Sequence, residues 1–128
     1  MITEYFSIFL KIVVFATIIN VWFFRFNKPT PYRGGGAKSM KEEFETYGIS
    51  KTAMYIIGAI KVLLATGLLI SIWYPTLTIP MAAGMGIFML GAIAMHFKAN
   101  DPSIRSYPAF ALLICCILII VLETFPIG

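Results

Sequence analysis

Four long apolar stretches take up most of this 128-residue chain and limit the folds open to it. They cover residues 5–24, 52–73, 77–97 and 107–122. A bilayer core of about 30 Å needs roughly 20 helical residues to cross it, so each stretch is close to spanning length. Only 12% of the residues are charged, too few to cover a soluble domain of this size. We therefore predict one transmembrane domain over residues 1–128.

The spans are predicted to be helices. Strands of a membrane barrel alternate apolar and polar residues over about ten positions, whereas the second stretch reads IIGAIKVLLATGLLI and is almost continuously apolar. The first stretch has neither the basic segment before it nor the small-residue site after it that mark a cleaved signal peptide. It is expected to remain as a helix. The predicted fold class is all-α, a four-helix transmembrane bundle.

The basic residues lie in two of the three connections between spans. None occurs in the connection near residues 74–76, and none lies outside the helices at either terminus. By the positive-inside rule, both basic loops are expected in the cytoplasm and both termini outside, in a multi-pass protein of the cell membrane. The net charge of +4 suits anionic lipid headgroups, so the bilayer is the expected partner and nucleic acid is not. The basic loop residues are Arg25, Lys28, Arg33, Lys38, Lys41, Lys51, Lys98 and Arg105.

The first loop contains a predicted short helix. Two prolines and three consecutive glycines disfavour helix in its first half. Ser39 and Glu42 then have the spacing of a capping box, and apolar residues follow at i, i+4 and i+7 from Met40. We predict an amphipathic helix over residues 40–47 that lies on the membrane surface or dips into it. A solvated surface helix is the alternative.

Lys61 stands near the middle of the second span, where an ammonium costs roughly 2.5–3.5 kcal/mol on insertion scales. Nine residues from the span's start place its Cα about 13 Å deep, and a side chain tilted toward the cytoplasm brings the ammonium to about 8 Å. Asn20 and His96 fall in the same half of the bundle. We predict a polar pocket open to the cytoplasm and built from Lys61, His96, Asn20 and either Glu42 or Glu43.

Two other interpretations of Lys61 stay open. The ammonium could pair with a backbone carbonyl or a loop glutamate and anchor the loop, or it could face lipid without a partner. Lys11 lies nearer the outer end of the first span and is expected to be structural, reaching Glu123 or the interface.

The sequence predicts no metal site and no catalytic residue. His96 is the one histidine, and no cysteine or H-x-x-E pattern accompanies it. Cys115 and Cys116 are adjacent in the fourth span, where a helix separates neighbouring side chains by about 100°. They are expected to pack as small apolar residues and to form no disulfide with each other.

Several other residues are predicted to serve packing or anchoring. Trp22, Phe23 and Phe24 close the first span and are expected to form an aromatic belt at the membrane interface. The third span is rich in small residues, among them Gly84 and Gly91, which are expected to let helices approach closely.

Four segments together resemble the DoxX-like family of small four-helix membrane proteins. They are R-G-G-G-A-K-S-M-K-E-E-F-x-x-Y-G from Arg33, Y-x-I-G-x-I-K-V-L-L-A from Tyr55, W-Y-P from Trp73 and L-G-A-I-x-M-H-x-K-x-x-D-P from Leu90. The resemblance implies a link to membrane redox or oxidative-stress complexes, since the family takes its name from a subunit associated with quinone-linked sulfur oxidation. A more distant relative is a chaperone for receptor assembly. The charged positions that match are Glu42, Glu43, Lys61, His96 and Asp101.

Three functional classes follow from these observations. The first is a non-catalytic accessory subunit or assembly factor, with a membrane protein partner or a second copy of the chain. The second is a quinone- or lipid-binding protein with its pocket around Lys61 and His96. The third is a small transporter, which lacks support from any internal repeat. No enzymatic activity of the chain alone and no cofactor are expected, with a quinone as the open alternative.

Overall fold

The computed structural model describes residues 2–29 and 32–125, and these contain five α-helices and no strand. The helices are α1 (Ile2–Ile19), α2 (Met40–Thr46), α3 (Lys51–Ile70), α4 (Thr78–Lys98) and α5 (Tyr107–Thr124). Four segments are long and apolar enough to cross a membrane, namely Ile2–Phe24, Lys51–Ile70, Pro75–Lys98 and Ser103–Thr124. The prediction of an all-α, four-span bundle is confirmed.

The four long helices form a closed ring in which α1 contacts α3 and α5, and α4 contacts α3 and α5. Residues that point to the centre of the ring, such as Val14, Leu68, Met85 and Ile119, are fully buried. Large apolar residues such as Leu63 cover the outside, as a chain surrounded by lipid requires. One end of the bundle, here called the loop end, carries α2 and the α4–α5 connection. The other, the hairpin end, carries the α3–α4 turn and the start of α1.

A π-helical turn, Asn20–Phe24, ends α1 at the loop end. A π turn holds an extra residue, which rotates the following side chains around the helix axis. Trp22 is consequently buried, with 9% of its surface exposed, while Phe24 stays 68% exposed. The expectation that Trp22 belongs to an interfacial aromatic belt is wrong. Its indole packs on Gly58 of α3, where an added Cβ would lie 2.4 Å from the ring.

The short helix α2 begins where its capping box predicts. Ser39 Oγ accepts a hydrogen bond from the Glu42 N–H at 3.2 Å, and Glu42 Oε2 accepts one from the Lys38 N–H at 3.2 Å. Its apolar side chains Met40 and Phe44 are buried in the bundle core. The apolar face of α2 is therefore turned to protein, and its position at a membrane interface stays a prediction.

Candidate ligand-binding cavity

A cavity of about 680 Å³ opens inside the loop end of the bundle. All four long helices contribute to its wall, and α2 closes one side. Toward the bundle centre the wall is apolar and includes Phe88, Met89 and Leu112. At the loop end it is polar. The polar and charged residues of the wall include Asn20, Arg25, Arg33, Glu43, Tyr47, Lys61, His96 and Arg105.

Lys61 lines this cavity without a hydrogen-bond or ion-pair partner among the residues described. The Lys61 side chain is half-buried. Its Nζ atom lies 5.7 Å from the centroid of the Trp22 ring. A cation–π contact of this kind contributes about 0.5–2 kcal/mol. The described residues therefore leave the ammonium incompletely satisfied.

Glu43 of α2 is held by two neighbours. Its Oε1 lies 3.3 Å from Arg33 Nη1, and its Oε2 accepts a hydrogen bond from Tyr47 Oη at 3.0 Å. Burial, followed by the charge and hydrogen bond of Glu43, raises the pKa of Tyr47, so the phenol stays protonated as a donor. The charge of Glu43 acts on Lys61 through space. Glu43 is thus occupied by other groups and does not pair with Lys61 directly.

Asp101 is the centre of a second set of contacts. Its carboxylate is nearly enclosed, at 2% exposure, and accepts bonds from His96 Nδ1 at 2.8 Å, Arg105 Nη1 at 2.7 Å and the Gly35 N–H at 2.8 Å. Burial raises the pKa of Asp101, but these three bonds outweigh it and leave the pKa below its usual value. An ionised carboxylate only accepts hydrogen bonds, so it fixes the proton of His96 on Nδ1 and leaves Nε2 as the other available ring nitrogen.

The end of α4 explains why Asp101 reaches His96. Asn100 adopts a left-handed conformation with φ of 55°, the backbone that an asparagine or glycine supplies after a helix. The Asp101 N–H then donates to the His96 carbonyl at 3.0 Å and the Asn100 N–H to the Phe97 carbonyl at 3.1 Å, which is the Schellman motif. The chain after Lys98 folds back over the last turn of α4, which places the Asp101 carboxylate beside the His96 ring.

The two sets of contacts meet at Tyr47 and His96, whose Oη and Nδ1 atoms are 3.5 Å apart. Arg33 also binds the main-chain carbonyls of Arg25 and Lys28, which ties the first loop to the network. These contacts make a continuous cover over the cavity, called here the loop-end network. It consists of Arg33, Glu43, Tyr47, His96, Asp101 and Arg105.

The structure brings together four of the five predicted pocket residues. Lys61, His96, Asn20 and Glu43 all lie on the cavity wall. Glu42 is exposed and serves the cap of α2 instead. A ligand-binding role for any of the five stays a prediction.

Sequence reasoning did not assign the remaining contributors to the site. Tyr47 was interpreted as part of an apolar face, although its hydroxyl joins Glu43 to His96. Asp101 follows His96 by five residues, which is not a spacing that puts two side chains on one helix face. The sequence signal was the Asn-Asp-Pro run after α4, since asparagine tolerates the left-handed turn that the contact needs.

A different polar cluster lies at the hairpin end. Lys11 is only 4% exposed, and its Nζ donates to Thr78 Oγ1 at 3.2 Å. The expected contact with Glu123 is replaced by this bond, since Glu123 acts on Lys11 through space and no ion pair between them is present in the described part of the chain. The hydroxyl of Ser7, one turn earlier, is also buried.

The model of the DoxX-like family matches residues 34–121. The matched segment contains Glu43, Lys61, His96 and Asp101, whereas Trp22 precedes it. Searches of curated proteins and of solved structures gave no significant match.

Proposed function

Because this chain belongs to the DoxX-like family of membrane proteins, we propose that it binds a small amphipathic molecule of the lipid or quinone class in its loop-end cavity. The observation that carries this proposal is a cavity wall that combines the unpaired ammonium of Lys61 with apolar side chains such as Phe88 and Leu112. A molecule with one polar head and an apolar tail can contact both kinds of side chain.

The size of the cavity supports a molecule of this kind. At about 680 Å³ it lies within the roughly 300–1,000 Å³ of ordinary small-molecule pockets. Along α4 its wall runs from Ile87 to His96, a separation of nine residues or about 13.5 Å at helical rise. Ile87 is also exposed on the outer surface, so this part of the wall lies next to the lipid from which such a molecule would enter.

The polar end offers more than one kind of contact to a head group. Lys61 supplies a donor that no described residue accepts, and His96 Nε2 remains after Asp101 has engaged Nδ1. Tyr47 and Glu43 are already bonded to each other. Lys61 is therefore the first contact expected for a head group, and His96 is a second donor or acceptor on the same cavity wall.

We further propose that binding serves an accessory role, in which the chain is a non-catalytic subunit or assembly factor in the cell membrane. Exposed apolar faces such as that of Leu63 suit a partner helix and lipid equally, so they support both a membrane partner and a free bundle. Transport of the bound molecule is the alternative role.

The orientation proposed for this role places the loop end in the cytoplasm, on the grounds of the positive-inside rule. Single substitutions Lys38→Cys and Thr76→Cys test it with a membrane-impermeant maleimide on intact cells. The proposal expects labelling of the cysteine at position 76 only, above the background that the native cysteines give in unaltered protein. Labelling at position 38 alone would reverse the orientation.

A substitution that obstructs the cavity tests the binding function. Gly91 lines the cavity and is exposed, so it lies at the open edge of the wall, and an added Cβ there would meet nothing within 4 Å. A leucine at this position is expected to obstruct the opening of the cavity. Ala94 of the same helix is exposed and outside the cavity lining, which makes Ala94→Leu the matched control.

The measurement is native mass spectrometry of protein purified in mild detergent. The proposal expects a small amphipathic molecule on the unaltered protein and on Ala94→Leu, and its loss from Gly91→Leu. Equal retention by both variants would place the molecule outside the cavity, and a preparation that carries a protein partner but no small molecule would favour the accessory role without ligand binding.

A further inference from the structure

The charges around the cavity do not balance within the chain. Four cationic side chains lie on its wall, of which Arg33 pairs with Glu43 and Arg105 with Asp101. Arg25 is exposed, so water can solvate it. Lys61 is left facing the cavity, with no carboxylate within 4.0 Å in the part of the chain that is described. One positive charge at the head-group position therefore lacks a counter-charge.

The neighbours of Lys61 cannot supply that counter-charge. The Trp22 ring contacts one side of the ammonium but carries no net charge. Glu43 is committed to Arg33 and Tyr47. Moving Glu43 to Lys61 would break both contacts and leave Arg33 unpaired in a buried position. A bound anion would satisfy Lys61 without this loss.

We propose, building on the proposed function, that the occupant of the cavity is a long-chain fatty acid whose carboxylate pairs with Lys61. The charge available in the cavity favours a carboxylate over a phosphate monoester. The buried and half-buried arginines of the wall, Arg33 and Arg105, are already paired with acidic residues, which leaves the single charge of Lys61. One ammonium balances the single negative charge of a carboxylate, whereas a phosphate monoester carries about −1.5 to −2 at neutral pH.

The volume of the cavity favours a single chain. A water-sized group occupies about 30 Å³, and a methylene is of similar size, so about 680 Å³ holds roughly twenty non-hydrogen atoms. A fatty acid with a chain of about sixteen carbons is of this size. A phospholipid with two such chains would exceed this volume and would have to leave one chain outside the cavity.

The test compares two probes that differ only in the head group, palmitic acid and hexadecanol, on the full chain in lipid nanodiscs. Radiolabelled palmitate binding is measured at neutral pH, with hexadecanol and a short-tailed quinone as competitors. The expected result is that palmitate binds at least about thirtyfold more tightly than hexadecanol, the effect of removing one partner of an enclosed charge pair.

Two lysine variants and one control complete the design. Lys61→Met should weaken palmitate binding about thirtyfold or more and leave hexadecanol binding unchanged, while Lys61→Arg should retain most of the affinity for palmitate. Lys51→Met is the control, because Lys51 is exposed at the start of the same helix and away from the cavity. The probe comparison on unaltered protein remains decisive if Lys61→Met fails to fold.

The outcomes separate this inference from the proposed function. If hexadecanol or the quinone binds as tightly as palmitate, the carboxylate inference is overturned and amphiphile binding stands. If palmitate binding survives Lys61→Met but is lost in Gly91→Leu, the acyl chain of palmitate binds in the cavity as proposed. The ion pair with Lys61 is then wrong. If none of the three probes binds, both proposals fall.

Discussion

The two lysines inside the spans, Lys11 and Lys61, differ in how the protein satisfies their ammonium groups. Lys11 is enclosed at the hairpin end and donates to Thr78 of α4. Lys61 lies at the loop end, contacts the Trp22 ring and faces an open cavity. Both pay the desolvation penalty of a charge in an apolar bundle. Among the described residues, Lys11 donates a hydrogen bond to Thr78, whereas Lys61 has no acceptor.

The difference separates a structural lysine from a candidate binding lysine. A polar group that the bundle satisfies holds helices together, as Lys11 joins α1 to α4. A polar group that the bundle leaves unpaired beside a cavity is available to bind a molecule that enters the cavity. The charged residues of the loop-end network are already paired with one another, which leaves Lys61 without an ion-pair partner among the described residues.

The largest effect is expected from breaking the loop-end network itself. Asp101→Ala removes the acceptor of three bonds and leaves His96 and Arg105 without it. The free energy of unfolding should fall by about 3 kcal/mol, as for the loss of one partner of a buried pair. Glu45→Ala, an exposed carboxylate on α2, should change it by less than about 0.5 kcal/mol. Unfolding in mixed micelles measures both changes in free energy. Equal losses for Asp101→Ala and Glu45→Ala would mean that the loop-end network does not stabilise the fold.

At the hairpin end, Thr78→Val keeps the shape of the side chain but takes away the acceptor of Lys11. The enclosed ammonium then lacks its bond, and we expect a loss of about 2 kcal/mol in the same assay. Thr66→Val is the matched control, because the Thr66 hydroxyl bonds only to the Val62 carbonyl within its own helix. A loss no larger than that of the control would mean that Lys11 needs no partner, and the contrast between the two lysines would disappear.

The indole beside Lys61 can be displaced by a single methyl group. Gly58→Ala places a Cβ 2.4 Å from the Trp22 ring, and the resulting overpacking should cost about 1.5 kcal/mol. Gly91→Ala adds the same methyl group where nothing lies within 4 Å, and should stabilise the helix by about 0.5–1 kcal/mol. Opposite signs for the two variants are the expected result. A loss of stability in both variants would mean that the space around Gly91 is filled.

A smaller effect should appear with pH. Asp101 has a pKa below the unfolded value of about 3.9, so its contribution to stability is present above pH 4 and is lost as the pH falls through its lower, folded value. The difference in melting temperature between the unaltered protein and Asp101→Asn should therefore shrink below about pH 4. A difference that stays constant down to pH 2 would contradict the ionised state assigned to Asp101.

The sequence was sufficient for the fold because each span is a separate apolar run of bilayer length. The start of α2 and its cap were also predictable from the sequence, since Ser39 and Glu42 are three residues apart and act locally. Local rules of this kind need no knowledge of where the helices lie relative to one another.

The site was harder to predict from the sequence because its contacts depend on irregularities of the backbone. The π turn rotates Trp22 from the expected lipid belt to Lys61, and nothing in the run NVWFF specifies that turn. The left-handed Asn100 brings Asp101 back to His96. Depth along the helix axis was enough to group Lys61, Asn20 and His96, but helix rotation decided which carboxylate would lie near them.

The central claim is that Lys61 is unsatisfied by the chain and satisfied by a bound carboxylate. The most direct measurement is the melting temperature of delipidated protein, for the unaltered chain and for Lys61→Met, before and after addition of palmitate. The account predicts that Lys61→Met melts at a higher temperature than the unaltered chain without palmitate, since an uncompensated charge has been removed. It also predicts that palmitate raises the melting temperature of the unaltered chain alone. A lower melting temperature for Lys61→Met, together with equal palmitate shifts in both proteins, would contradict the account.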